Sequence, residues 1–270
     1  MKLSIITVNL NNASGLRKTI ESVVSQSYTN YEYIVIDGGS SDGSVEVIKE
    51  FADRIVYWAS EPDGGIYNAM NKGIKKANGE YCHFLNSGDF LHSFETIEEV
   101  FKLSDESDII YGDVILTQQD LEKKWVQKHP DDLTFLTFYM GGICHQAAFI
   151  KRKLFEDHGL YDESYKIMSD WEFFINAIIL SNATYKHINL IVSVYSRDGF
   201  GNQNTETGIV ESKQVLDRKF PGLVLKDYEL YKNHYSDLQA LVGIKKFRLS
   251  FFLFKALRKT TRIYRKWFQK

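Results

Sequence analysis

Along the first hundred residues, short apolar runs alternate with segments whose apolar positions recur at helical spacing. Leu3 to Val8 predicts a strand, and Leu16, Ile20, Val23 and Val24 mark one face of a helix over Leu16 to Val24. Tyr33 to Ile36 predicts a second strand, Val45 to Phe51 a helix and Ile55 to Trp58 a third strand. Ile66, Ala69, Met70, Gly73, Ile74 and Ala77 then fall at i, i+3, i+4, i+7, i+8 and i+11, one face of an amphipathic helix, before a fourth strand over Tyr81 to Leu85. Such alternation implies βαβ crossovers: an α/β fold with a mostly parallel central sheet flanked by helices. Open sheets of this kind bind ligands beyond the carboxyl ends of their strands. Those ends are Val8-Asn9, Asp37-Gly38-Gly39, the Asp63-Gly64-Gly65 loop and Asn86-Ser87-Gly88-Asp89, all polar and able to turn tightly.

The second half is less regular. Ile109 to Tyr111, Ala147 to Ile150 and Leu190 to Tyr195 read as strands, Ser169 to Leu180 as a helix, and Arg197 to Asn202 as a flexible loop. With 270 residues, 44% of them hydrophobic and only three prolines, the chain reads as one catalytic-type domain over 1–220 with a helical, basic and aromatic extension over 221–270. Two cysteines, Cys82 and Cys144, make neither a disulfide framework nor a zinc-finger spacing, which points to a reducing cytoplasm. The amino-terminal apolar run is too short for a signal peptide, and no stretch is long enough to span a membrane. The net charge of −2 conceals ten Lys or Arg and no acid over 245–270, against a body whose balance is −12. An acidic body argues against nucleic acid as a partner, and a basic tail argues for a partner of its own.

Four segments carry candidate chemistry. Asp37-Gly38-Gly39-Ser40-Ser41-Asp42-Gly43-Ser44 follows a strand and opens a helix; Asp37 can accept from a base or ribose, or the segment is a Gly/Ser turn capped by Asp42 or Ser44. It is not the G-x-G-x-x-G of a dinucleotide fold. Asp63 precedes a helix carrying Lys72, which reads either as a phosphate contact or as part of a solvated face. Asp89 is a lone carboxylate at a strand mouth. It is either turn chemistry or an oxygen ligand for a hard cation whose shell a diphosphate completes. Ser169-Asp170-Trp171-Glu172 has the S-x-x-E form of a capping box, which would place Asp170 in a first turn where the helix dipole favours its ionised form. It reads as helix stability or as a general base.

Taken together, these segments resemble glycosyltransferase family 2, inverting enzymes on the nucleotide-sugar-binding GT-A fold, from about Leu3 to Tyr195. Leu3 to Asn12 resembles the family's opening strand and loop, and Tyr33 to Ser44 its nucleoside-binding strand. The resemblance implies a donor site that includes Val8, Asn9, Asp37, Asp63, Lys72, Asn86 and Ser87. The family's metal motif is an Asp-x-Asp or Asp-Asp cluster. Here Asn86 stands where an acid is common, and Asp89 is left as the implied ligand of Mg²⁺ or Mn²⁺. The family's base lies in a Glu-Asp pair opening a helix, which implies Asp170, with Ser169 replacing the Glu. Met70 occupies a position usually held by Arg. His145-Gln146-Ala147-Ala148-Phe149 resembles the acceptor-side strand of bacterial surface-polysaccharide enzymes, implying acceptor-side roles for His145 and Trp171.

The expected activity is therefore metal-dependent, inverting transfer of a hexosyl-type sugar from a nucleotide-diphosphate sugar, a UDP-sugar, to a glycan or lipid-linked acceptor in bacterial polysaccharide or glycolipid synthesis. Aromatics mixed with cations over 243–270 add an expected peripheral contact with the inner face of the cell membrane. The alternatives are a nucleotidyltransferase, for which Asn9 to Gly15 makes a poor phosphate loop, and a catalytically inactive membrane-associated scaffold of the same fold.

Overall fold

In a computed structural model, residues 2–118, 123–196, 204–246, 251–253, 255 and 257 are described. The loop expected over Arg197 to Asn202, and most of the tail after Lys246, lie outside them. The predicted alternation is present as β1 (Leu3–Asn9), α1 (Ala13–Val24), β2 (Tyr31–Asp37), α2 (Ser44–Glu50), β3 (Tyr57–Ser60), α3 (Ile66–Lys76) and β4 (Tyr81–Phe84). There follow β5 (Phe90–Leu91), α4 (Thr96–Leu103), β6 (Ile109–Gln118), β7 (Lys123–Gln127), α5 (Phe135–Tyr139) and β8 (Ala148–Lys151). The series closes with α6 (Lys153–His158), α7 (Ser169–Phe174), β9 (Tyr185–Ser196) and α8 (Thr205–Lys219).

One sheet runs in the order β3-β2-β1-β4-β8-β6-β9-β5, with β7 on β6. The four amino-terminal strands are parallel, β6 and β9 are parallel, and β8 joins β4 to β6 antiparallel. Helices cover both faces, so β1 is buried along its whole length. Leu3 and Ile5 join Leu16 and Ile20 of α1 in the main core. Ile6, on the opposite face, meets α3 so closely that a Cβ on Gly73 would lie 2.5 Å from its Cγ2. Each such aliphatic side chain contributes about 1.5–3 kcal/mol by leaving water.

Two expectations about the α7 region change. The helix expected over Ser169 to Leu180 is α-helical only to Phe174, and Ile175–Leu180 is a π-helix. The capping box does not form: Met168 is the N-cap, and the buried Ser169 Oγ has no hydrogen-bond partner among the described residues. Glu172 is drawn instead into an ion pair with Arg218 of α8. The strand expected from Ala147 starts one residue later, after a 3₁₀ turn over His145–Ala147.

The chain divides into two compact units, Met1–Arg218 and Lys219–Lys270. In the second, α9 (Gly222–Asn233) and α10 (Tyr235–Lys246) pack together while Leu223, Leu230 and Val242 stay exposed. No helix among the described residues is long and apolar enough to cross a membrane.

Candidate active site

The loop after β4 is held by backbone bonds that continue the sheet ladder, Leu85 N–H to Ile6 O at 3.0 Å and Ser87 N–H to Val8 O at 3.0 Å. Gly88, at φ +103°, makes the left-handed turn that brings Asp89 back under it. Helix α1 fixes this loop from below. Asn12 caps the helix by accepting from Gly15 N–H, and donates to Ser87 O at 3.0 Å. Thr19 Oγ1 donates to Asp89 O at 2.6 Å and accepts from Gly88 N–H at 2.9 Å.

Asp89 is 5% exposed. Among the described residues its carboxylate accepts from Gln146 Nε2 at 3.3 Å and Ser196 N–H at 3.4 Å, both long for hydrogen bonds to an anion. Burial therefore pushes it up to about 7, against the lowering influence of His145 and these donors. Among the described residues no group of three or more His, Cys, Asp or Glu side chains converges on a cation. A single buried, under-satisfied carboxylate does fit a hard cation that takes the rest of its oxygen shell from a diphosphate.

A second carboxylate has the opposite surroundings. Asp170, at the start of α7, accepts from His145 Nδ1 at 2.6 Å and from Tyr67 O–H of α3 at 2.7 Å. Burial pushes its carboxyl up, but His145, Tyr67 and the Trp171 N–H outweigh burial and hold it below the usual aspartate range. The backbone ahead of Asp170 is pinned by Glu211 of α8, whose buried carboxylate accepts from the N–H groups of Lys166, Ile167 and Met168 at 2.8, 2.9 and 3.1 Å. Tyr67 O–H also contacts Ile167 O. The linking residue is His145: its Nε2 lies 3.3 Å from Asn86 Nδ2, and its neighbour Gln146 holds Asp89.

At the end of β2, Asp37 is buried and accepts from Asn9 Nδ2 (2.7 Å), Ser40 Oγ (2.6 Å), Ser40 N–H (2.9 Å) and Ser60 Oγ (2.6 Å). Burial raises it, and the four donors together bring it below its ordinary value. Asp63 accepts from Gly65 N–H at 2.9 Å and sits over Gly38. Lys72 forms a 2.8 Å ion pair with Glu61. Trp171 is 7% exposed and donates its indole N–H to Phe138 O at 3.1 Å, which ties α7 to α5.

The structure thus brings Asn86, Ser87, Asp89, His145 and Asp170 together and adds Tyr67, Gln146, Asn12, Thr19 and Glu211. Tyr67 carried a signal: it lies on the buried side of an amphipathic helix, and a buried tyrosine hydroxyl requires a partner. Glu211 carried none, being one acid in a polar helix.

A family model, "Glycosyl transferase family 2", matches residues 4–159. A PGL/p-HBAD biosynthesis glycosyltransferase of Mycobacterium bovis is 32% identical over 222 residues, 80% of this chain and 82% of that protein. An uncharacterised glycosyltransferase of Mycobacterium tuberculosis is 30% identical over 228 residues, 81% of this chain and 85% of that one. The chain belongs to glycosyl transferase family 2. Solved structures of similar fold include S. aureus TarS 1-349 in complex with UDP, with TM-score 0.61, 19% identity and coverage of 73% of this chain and 60% of that one. Mannosyltransferase PcManGT from Pyrobaculum calidifontis, in complex with GDP-Man and Mn²⁺, aligns with TM-score 0.60 and 16% identity over 98% of this chain and 82% of that one. The sheet and its helices are thus of the GT-A type expected from the sequence.

Proposed function

We propose that the protein moves a sugar from a nucleotide-diphosphate donor, a UDP-sugar, to an acceptor hydroxyl with inversion, in the synthesis of a bacterial glycolipid or surface polysaccharide. The observation that carries this reading is the pairing of two unlike carboxylates at the strand ends, Asp89 poor in donors and Asp170 held ionised by two of them. The mycobacterial relatives' role in PGL/p-HBAD biosynthesis supports a lipid-linked acceptor, and TarS with UDP supports the donor.

Asp89 would hold Mg²⁺ or Mn²⁺, which when bound supplies positive charge to the leaving diphosphate. Asp37, Asn9 and Asp63 line the nucleoside side, with Val8, Asn86 and Ser87 as backbone floor. The base side of the site is Asp170 with its partners, positioned to draw the acceptor's proton as its oxygen attacks the anomeric carbon. One base suffices for a single displacement. A two-step retaining route would need a carboxylate nucleophile, and Glu172 is occupied by Arg218. The tail over 243–270 would lie on an anionic membrane near the acceptor, in keeping with Lys255 stacked 4.6 Å from the Phe251 ring centre and exposed Phe252, Leu253 and Leu257.

A thermal-shift screen of UDP-, GDP- and dTDP-sugars with and without Mn²⁺ tests the donor, because a ligand bound only by the folded state raises the unfolding temperature. The UDP-sugars with Mn²⁺ are expected to give the largest shift, and Asp170→Asn to keep that shift while losing turnover. Absence of a shift with every donor, or near-normal turnover in Asp170→Asn, refutes the reading. Co-sedimentation of the full chain and of a chain ending at Val242 with anionic vesicles tests the tail; equal binding refutes the membrane contact.

A further inference from the structure

Resting on the transferase reading, we propose that His145 Nε2 is the atom that removes the acceptor's proton, with Asp170 as the carboxylate that orients and balances the imidazole. The two ring nitrogens face opposite kinds of partner. Nδ1 lies 2.6 Å from an Asp170 oxygen, which as a carboxylate only accepts, so Nδ1 carries a proton. Nε2 lies 3.3 Å from the Asn86 amide nitrogen, which only donates, so Nε2 presents its lone pair. That is the tautomer a carboxylate–imidazole dyad needs to act as a base.

The other end of the Asn86 amide adds to this. Among the described residues its buried Oδ1 has no hydrogen-bond partner. If the amide turns over, Oδ1 replaces the N–H₂ group at Nε2 and accepts from the protonated ring. One side chain therefore suits both protonation states of His145. This accounts for an amide where the family commonly carries an acid: it serves the histidine. Asp170 meanwhile has one oxygen on Nδ1 and the other on the Tyr67 hydroxyl, an arrangement that fixes it as an orienting group. His145 and Asp170 keep 14% and 16% of their side chains exposed, enough for an acceptor hydroxyl to reach the dyad.

The step balances as follows. The acceptor O–H bond breaks and its proton goes to Nε2. The freed oxygen pair forms the bond to the anomeric carbon, and the bond from that carbon to the diphosphate oxygen breaks with its pair leaving on the diphosphate. The imidazolium shares its positive charge with Asp170 and returns the proton to water after the products leave.

The test compares the wild type with His145→Gln, His145→Ala and Asp170→Asn, using whichever nucleotide sugar stabilises the wild type. Glutamine still donates an N–H towards Asp170 but has no basic nitrogen, so it separates orienting from proton transfer. His145→Gln is expected to lose about 10²–10⁴-fold in kcat with an unchanged donor KM and thermal shift. Added imidazole is expected to restore at least about tenfold to His145→Ala, within that same range. Nitrogen-15 NMR of the wild type above neutral pH is expected to show the neutral His145 ring protonated on Nδ1, a readout that needs no activity and no variant. His145→Gln within about threefold of wild type, a change too small for general-base loss, or a ring protonated on Nε2, overturns the proposal. A wild type that transfers sugar while His145→Gln keeps its rate overturns this inference alone. A wild type that neither binds nor transfers any nucleotide sugar overturns the transferase reading, and this inference with it.

Discussion

Replacing Asp89 by Asn should stabilise the metal-free protein at neutral pH while abolishing its use of a cation. Asp89 is buried, and its two hydrogen bonds, at 3.3 and 3.4 Å, do not offset the loss of water around its charge. Its carboxyl titrates at about 7 in the folded chain and at the ordinary aspartate value of 3.8 once unfolded. Below 3.8 both states hold the proton and the site costs nothing. Between 3.8 and about 7 the unfolded chain has released the proton while the folded one keeps it, so stability falls as pH rises. Above about 7 the full cost of the buried charge is present. At 1.36 kcal/mol per pH unit that interval sets a ceiling of about 4 kcal/mol. For a domain of this size the ceiling corresponds to a rise in Tm of about 10 °C. Asparagine has the shape of aspartate without the charge, so Asp89→Asn should recover most of this at pH 8 in EDTA and none of it at pH 4. Thermal unfolding followed by circular dichroism across pH 4–8 measures both. Addition of a UDP-sugar with Mn²⁺ should then raise the wild-type Tm and leave that of Asp89→Asn in place. A variant no more stable than wild type at pH 8, or equally advantaged at pH 4, refutes the account of Asp89 as a charge short of partners.

Other perturbations test the supports of the site. Tyr67→Phe removes a donor that favours ionised Asp170, so the Asp170 carboxyl should titrate at higher pH when followed by carbon-13 NMR; an unmoved titration contradicts the contact's role. Glu211→Ala strips the acceptor from three backbone N–H groups ahead of α7, and should cost at least about 1–3 kcal/mol in urea unfolding as well as lowering kcat. Gly73→Ala puts a methyl 2.5 Å from Ile6 Cγ2 and should cost about 1–3 kcal/mol, much of it recovered in the double variant with Ile6→Ala; additive losses would show that the two sites are not in contact.

The parallel half of the sheet was legible because its apolar patterns coincide with burial: β1 is buried throughout and β2 from Glu32 on, and the α3 stripe is the face laid on them. Positions missed at element ends reflect backbone bonding that side-chain pattern does not report, as where β3 begins at Tyr57 rather than Ile55. The failed capping box shows a different limit. Ser169 and Glu172 have the right types and spacing, but Arg218, 46 residues on, takes the glutamate, and Glu211 pins the preceding turn. Long-range partners of this kind leave no local signature. The candidate residues themselves were legible by position, since strand ends collect ligand-facing groups. What each side chain touches was not: neither the Lys72–Glu61 ion pair nor the Trp171 indole bond to Phe138 O has a local sequence signature.

Asp89 and Asp170 are the same side chain given different tasks by their donors. Around Asp170 two donors within 2.7 Å make the anion self-sufficient, so it needs no cation and can carry a positive charge on His145. Around Asp89 the nearest donors stand at 3.3 Å or beyond, so the anion becomes stable only when positive charge arrives with the substrate. Adjacent residues service both: His145 turns to Asp170 and Gln146 to Asp89, so the 3₁₀ turn over His145–Ala147 sets the two carboxylates relative to each other. A shift of that turn by one residue would bring Gln146 to Asp170 and Ala147 to Asp89, or His145 to Asp89 and Cys144 to Asp170, and leave each acid without its partner. Ala147 and Ala148 behind it are fully buried, so the sheet core fixes the register on which the division of labour depends.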